Sequence, residues 1–306
     1  MEGVITKSTG SWYEVAGADG INHKARIKGK FRLAEGKNTN PVAVGDHVLF
    51  DIDIEGNSTV IHKLLPRKNY IIRKPSNLSR QEHVIAANLD MVLILATLAL
   101  PRTSQGFIDR ILVTAEAYQI PAVIAFNKVD LYDDELARQS KAMCEMYEGL
   151  GYHCIEISVK KAVHFEEVLE LIDHKTTLIT GHSGVGKTTL LNSLIPGMTQ
   201  KTGAISEYSA KGKHTTTFAE MHKVNDDTFV IDTPGIKDFG LIDMAREEVS
   251  HYFPEMQKLL GNCRFTNCLH INEPGCAVLE ALEKGQIYKS RYKSYLSIIE
   301  EEDTHR

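Results

Sequence analysis

Gly181, four intervening residues and then Gly186-Lys187-Thr188 form the spacing of a phosphate-binding loop. Without a Cβ, glycines let successive backbone N–H groups turn inward around a phosphate. Gly181, His182, Ser183, Gly184, Val185 and Gly186 would line that nest, with Thr188 and Thr189 in the first turn of the helix whose dipole completes it. Lys187 has the place to reach the β- and γ-phosphates as a point charge, and the Thr188 hydroxyl to hold Mg²⁺. A glycine-rich turn between any strand and helix is the bland alternative. Against it stand an apolar strand ahead, residues 178–180, and the periodic Leu190, Leu191 and Leu194 behind. The loop specifies a nucleoside triphosphate without specifying the base.

The base is addressed by Asn127-Lys128-Val129-Asp130, at the end of another apolar strand. A carboxylate at Asp130 can accept from both N1–H and the 2-amino group of guanine, whereas adenine has no 2-amino group and an unprotonated N1. A site built on that pair rejects adenine by roughly 10⁴-fold. Asn127 would tie the segment to the phosphate loop, and the stem of Lys128 would cover the base. Ser158-Val159 ends the next strand, where the Val159 N–H could meet guanine O6. Further on, residues 211–217 form a polar loop in which a threonine such as Thr216 would ligate Mg²⁺ when a γ-phosphate is present and release it afterwards. Asp232 takes the position of the second magnesium ligand, and the Gly235 N–H can contact the γ-phosphate. Ile236 stands where many GTP hydrolases place a glutamine that orients the attacking water. His214, beside the threonines, is the candidate for that task; an RNA contact or a solvated loop residue is the alternative.

Cys263, Cys268, His270 and Cys276 follow in the spacing C-x₄-C-x-H-x₅-C, with Gly261, Pro274 and Gly275 to bend the chain. Three thiolates and an imidazole suit a closed tetrahedral Zn²⁺ site, structural because no coordination position stays open. Small buried hydrophobes are the alternative. For Cys144 and Cys154, on a helix and a strand, core packing is the expectation.

These residues need elements to position them. Residues 1–65 read as five short strands broken by turns, fitting an OB-fold barrel and almost equally an SH3-like one. In the third strand Lys24, Arg26 and Lys28 alternate with Ala25 and Ile27, the pattern of a backbone-tracking groove or of a solvated face. Residues 66–80 read as a basic linker. Beyond it, buried strands at 91–97, 122–126, 153–157 and 178–180 alternate with helices near 106–118, 133–150 and 165–172, which implies a parallel α/β sheet covered on both faces. The tail reads as helical. At 306 residues, 42% hydrophobic and 25% charged, the chain is expected to hold two or three domains. No apolar leader is present and the most apolar run, residues 91–100, is too short to span a bilayer, so cytoplasmic is the expected location. The net charge of −5 argues against nucleic acid, but two acid-free basic segments, residues 24–32 and 63–80, argue for a phosphate-backbone partner.

The order of the motifs is unusual. Asn127 to Asp130 precede Gly181, the reverse of an ordinary small GTPase, as in a circular permutation. The switch segment then leads directly into the C-terminal region. Together with residues 213–217 (Lys-His-Thr-Thr-Thr), 232–236 (Asp-Thr-Pro-Gly-Ile) and 273–276 (Glu-Pro-Gly-Cys), the barrel, permuted order and finger resemble the bacterial ribosome-biogenesis GTPase family RsgA (YjeQ/YloQ) over nearly the whole chain. That resemblance implies an N-terminal OB-fold barrel (1–66), a circularly permuted α/β P-loop GTPase domain (67–245) and a mainly helical zinc-binding domain (246–306). It implies GTP and GDP, Mg²⁺ and one structural Zn²⁺ per chain. It also implies late action on the small (30S) ribosomal subunit, contact with 16S rRNA, stimulation of hydrolysis by the subunit, a monomer and no membrane. Lys213 stands where the family usually has arginine and Val159 where it has alanine. Two other functions remain open: a P-loop ATPase, which Asp130 opposes, and an assembly placeholder that holds GTP with negligible turnover, which Ile236 favours.

Overall fold

The computed structural model describes residues 1–9, 12–28, 41–53, 58–73, 83–195, 197–198, 219–233 and 244–303. Five strands, β1 (Glu2–Ser8), β2 (Tyr13–Gly17), β3 (Asn22–Ile27), β4 (His47–Asp53) and β5 (Ser58–Leu64), pair in the order β1-β2-β3-β5-β4 and close on β1. The β3–β5 pair is parallel and the others antiparallel, so the barrel is the Greek-key closure of an OB-fold. Ile5, Tyr13, Val15, Ala25, Val48, Phe50 and Ile61 fill it.

Tyr70–Arg73 and His83–Ala87 form a hairpin, β6 and β7, where the sequence suggests only a basic linker. Arg67, Lys68 and Arg73 mask the β-prone Tyr70-Ile71-Ile72 between them. The hairpin is docked on the barrel. Val44 bridges Ala86, and Arg67 grips the buried Asp46 carboxylate through both oxygens at 2.7 Å.

The main sheet runs β10 (His153–Glu156), β9 (Ala122–Phe126), β8 (Met91–Ala96), β11 (Thr176–Thr180) and β13 (Phe229–Asp232), all parallel, with β12 (Glu220–Lys223) antiparallel beside β13. Every residue of β8 is buried, as a central parallel strand requires. Successive residues face opposite layers. Val92 and Ile94 pack with α1 (Gln105–Ala117) and α2 (Asp134–Gly149); Leu93 and Leu95 pack with α3 (Phe165–Ile172) and α4 (Lys187–Leu194). Ser104 and Asp133 cap α1 and α2 by accepting from Phe107 and Leu136 N–H at 3.3 and 2.8 Å. The C-terminal region packs α5 (Arg246–Val249), α6 (Pro254–Gln257), α7 (Ala277–Glu283) and α8 (Lys289–Asp303) around Phe253, Met256, Tyr295 and Ile298. Among the described residues no helix is long and apolar enough to cross a membrane.

Candidate nucleotide and metal sites

The loops at the carboxyl ends of β8, β9, β10, β11 and β13 meet in one place, where a parallel sheet presents ligand sites. Asn127 joins three of them. Its amide donates to the Val185 carbonyl at 2.8 Å and accepts from the Val159 N–H at 3.2 Å, both inside the protein. Guanine O6 would therefore compete with Asn127 for the donor that the sequence assigns to it. Tyr132 braces the same loop by accepting from Leu98 N–H at 3.0 Å and donating to Asn127 O at 3.1 Å.

Lys128 adopts a left-handed backbone (φ 67°) and lays its ammonium across to the Leu100 and Gly184 carbonyls, each at 2.7 Å. Burial lowers its pKa, with Asp130 opposing. Asp130 accepts at Oδ1 from the Ser158 hydroxyl at 2.5 Å. Ser158 Oγ accepts in turn from Lys161 N–H at 3.2 Å, so the hydroxyl hydrogen is directed at the carboxylate.

On the phosphate side Gly181 and Gly186 have φ of 148° and 109°. A Cβ on Gly181 would strike the Leu95 carbonyl and one on Gly186 the Asn127 amide, so only glycine fits either place. The Lys187 ammonium rests on the carbonyls of Gly181 and His182 at 2.6 and 2.8 Å. Burial lowers its pKa, and Asp232 pulls the other way. Asp232, at the end of β13, is buried with no hydrogen-bond partner on Oδ1. Burial raises its pKa, with Lys187 the main opposing charge. An orphaned carboxylate oxygen beside a phosphate loop fits a divalent cation, as does the Thr188 hydroxyl in the first turn of α4. His214, Thr216, Gly235 and Ile236 lie outside the described residues.

Sequence reasoning misses Phe107, whose ring stacks on His182 with centroids 3.7 Å apart. It also misses Tyr132 and the Leu100 carbonyl. A sequence motif fixes chemistry-bearing side chains, and these three act as packing, brace and backbone acceptor.

The finger brings its four ligand atoms within 4.8 Å of one another. Cys263 Sγ lies 3.9 Å from Cys276 Sγ and 3.6 Å from His270 Nδ1, and the latter is 3.3 Å from Cys276 Sγ. Tetrahedral zinc with Zn–S near 2.3 Å holds its sulfurs about 3.8 Å apart, so the set fits that ion. Burial pushes the Cys268 thiol up to about 12 and raises Cys276, shifts that a cation held between them would reverse by stabilising the thiolates. Glu273 shapes the loop between ligands by accepting from Leu269, Ile271 and Asn272 N–H at 2.8, 2.8 and 3.0 Å. Tyr292 and Tyr295 of α8 donate to the His270 and Leu269 carbonyls. Cys144 and Cys154 lie apart from this site, in the core between α2 and β10.

The RsgA GTPase family model matches residues 64–242 and the RsgA N-terminal domain model residues 2–60. The chain belongs to the RsgA GTPase family. A small ribosomal subunit biogenesis GTPase RsgA of Christiangramia forsetii is 52% identical, covering 100% of this chain and 98% of that one. Its counterpart RsgA 2 of Bacteroides thetaiotaomicron is 49% identical over 99% and 97%. Among solved structures, YjeQ from Thermotoga maritima matches with a TM-score of 0.78 at 34% identity over 98% and 97% of the two chains. YloQ, described as a circularly permuted GTPase, matches with a TM-score of 0.73 at 25% identity over 100% and 96%. Membership in the RsgA family makes this chain a hydrolase acting on GTP, with its guanine loop ahead of its phosphate loop.

Proposed function

We propose that the protein hydrolyses GTP while bound to the small ribosomal subunit, during that subunit's maturation. The observation that carries the reading is the interlocked guanine and phosphate loops, joined through the buried Asn127 amide and spanned by Lys128. Asp130 would take the guanine edge, with Ser158 and Val159 beside it. The loop of Gly181 to Gly186 would hold the phosphates with Lys187, Thr188 and Thr189. Mg²⁺, which would neutralise phosphate charge, would be held by Thr188 and Asp232. The named relatives act in small-subunit biogenesis, which supports the 30S partner. Lys24 and Arg26 crowd the Trp12 ring on the barrel surface, with Arg26 Cζ 3.8 Å and Lys24 Nζ 4.7 Å from its centroid, a face that suits 16S rRNA phosphates. We take the barrel as 1–66, the GTPase domain as 67–245 and the zinc domain as 246–306, in a monomer that works in the cytoplasm.

His214 is our candidate for orienting the attacking water, since Ile236 has no hydrogen-bonding group. Thr216 would close the magnesium site in the GTP state. The test is multiple-turnover hydrolysis with and without small subunits, beside co-sedimentation in GDP and a non-hydrolysable GTP analogue. The expected result is low intrinsic turnover that the subunit raises. Turnover that stays negligible on the subunit would favour a placeholder that only holds GTP, and equal competition by ATP would overturn the guanine site. In His214→Ala, stimulated turnover should fall by at least tenfold with GTP binding and co-sedimentation retained; wild-type turnover would remove His214 from the role.

A further inference from the structure

The first turn of α1 is held from two sides. Toward the nucleotide site, Phe107 stacks on His182, whose carbonyl is one of the two that hold the Lys187 ammonium. Toward the C-terminal domain, Gln105 donates to the Ser290 hydroxyl at 3.1 Å and Gly106 lies against Ser294. Two residues past Phe107, Asp109 meets Arg291 at 2.6 Å, and neither side chain is exposed to solvent. Arg291 also donates to Glu255 at 2.8 and 3.2 Å and covers the Phe253 ring, while Tyr147 donates to Asp109 at 2.8 Å. Arg291 stands on α8, the helix whose Tyr292 and Tyr295 hold the finger loop. A buried guanidinium shared by two carboxylates is costly to separate from them, so a shift of α8 must either carry this segment of α1 with it or leave buried charges unpaired.

We propose that Phe107 is a positioning residue for the phosphate loop, and that the Asp109–Arg291 pair makes its placement depend on the zinc-bearing C-terminal domain. The proposal rests on the reading of this loop as the GTP site. Lys187 has two arrangements available, resting on the Gly181 and His182 carbonyls or released to phosphate oxygens. The Phe107 ring fixes the peptide that separates them. Movement of α8 therefore biases how readily the ammonium leaves its carbonyls, and nucleotide binding must bias α8 by the same free energy.

The experiment measures fluorescent GTP-analogue affinity and amide hydrogen exchange along α8 in the full-length zinc-loaded chain. In the wild type, nucleotide should alter exchange across Lys289–Asp303. Phe107→Ala should weaken binding about three- to tenfold, because the nucleotide must then order a loop that the ring otherwise holds in place, and should abolish the response of α8. Phe107→Tyr, which keeps the ring, should restore both, whereas Phe107→Leu, which keeps apolar volume alone, should not. Wild-type affinity in Phe107→Ala, rescue by leucine, or a wild type that binds GTP with α8 unresponsive would each overturn the proposal. A wild type that binds no guanine nucleotide would remove the GTP reading, and the proposal with it.

Discussion

In the proposed guanine site Asp130 would carry the discrimination between bases with one carboxylate, which the Ser158 hydroxyl orients. Asp130→Asn replaces an acceptor with a donor facing the guanine edge and should cost about 2–4 kcal/mol in GTP affinity by fluorescence titration; unchanged affinity would place the base elsewhere. Asp232 shows the opposite relation between site and stability. Its pKa is raised by burial, so the stability it offers the nucleotide-free fold is present at low pH and lost as pH rises through that raised value. Above that value the nucleotide-free protein therefore carries a buried charge that Lys187 offsets only in part. Asp232→Asn should melt a few degrees above wild type near pH 7, the gap closing as the pH falls into the carboxylate range, while losing magnesium-dependent stabilisation by GTP. A lower neutral-pH melting temperature in the variant would contradict this account.

The elements divide into those that composition marks and those that it hides. The β8 run and the amphipathic α1, α2 and α3 were legible because burial on both sheet faces demands uninterrupted apolar strands and one apolar helix face. β12 was not legible, since its Glu-Met-His-Lys sequence is polar except for the buried Met221 and is strand only because β13 lies beside it. The hairpin β6–β7 escaped in the same way, behind its arginines and lysines. Zinc in the proposed site would have the largest effect on an element, because α7 begins at one of the four residues that would hold it: Cys276 is its N-cap and accepts from Leu279 N–H. Metal analysis should give about one zinc per chain. Chelation should expose the thiols to labelling and release the α7 and α8 amides to exchange ahead of the main sheet. Metal-free protein with wild-type protection in those helices would show that the hydrophobic cluster around Phe253 and Tyr295 suffices alone.

Across the whole molecule the barrel and the GTPase sheet form one continuous surface of strands, joined where Lys7 of β1 pairs with Glu220 of β12 and forms an ion pair at 3.1 Å. In register, Glu220 also stands opposite Asp232, so the barrel abuts the edge of the nucleotide site. That joint could not be read from the sequence, because it depends on pairing between residues 213 positions apart. The charge pattern of the barrel could. Lys24, Arg26 and Lys28 are exposed at alternate positions while Ala25 is buried, which puts the three cations on the outer face of the barrel wall. A net charge of −5 for the chain gives no general attraction to RNA, so any such binding must come from local contacts. Each phosphate contact contributes about 0.7 to 0.9 to the slope of log affinity against log salt. Neutralising Lys24, Arg26 and Lys28 together should therefore lower the slope for small-subunit association by about two to three and weaken binding most at low salt, with GTP affinity intact. A triple variant that keeps the wild-type slope would show these cations to be a solvated face, and would move the subunit contact to the finger or to α8.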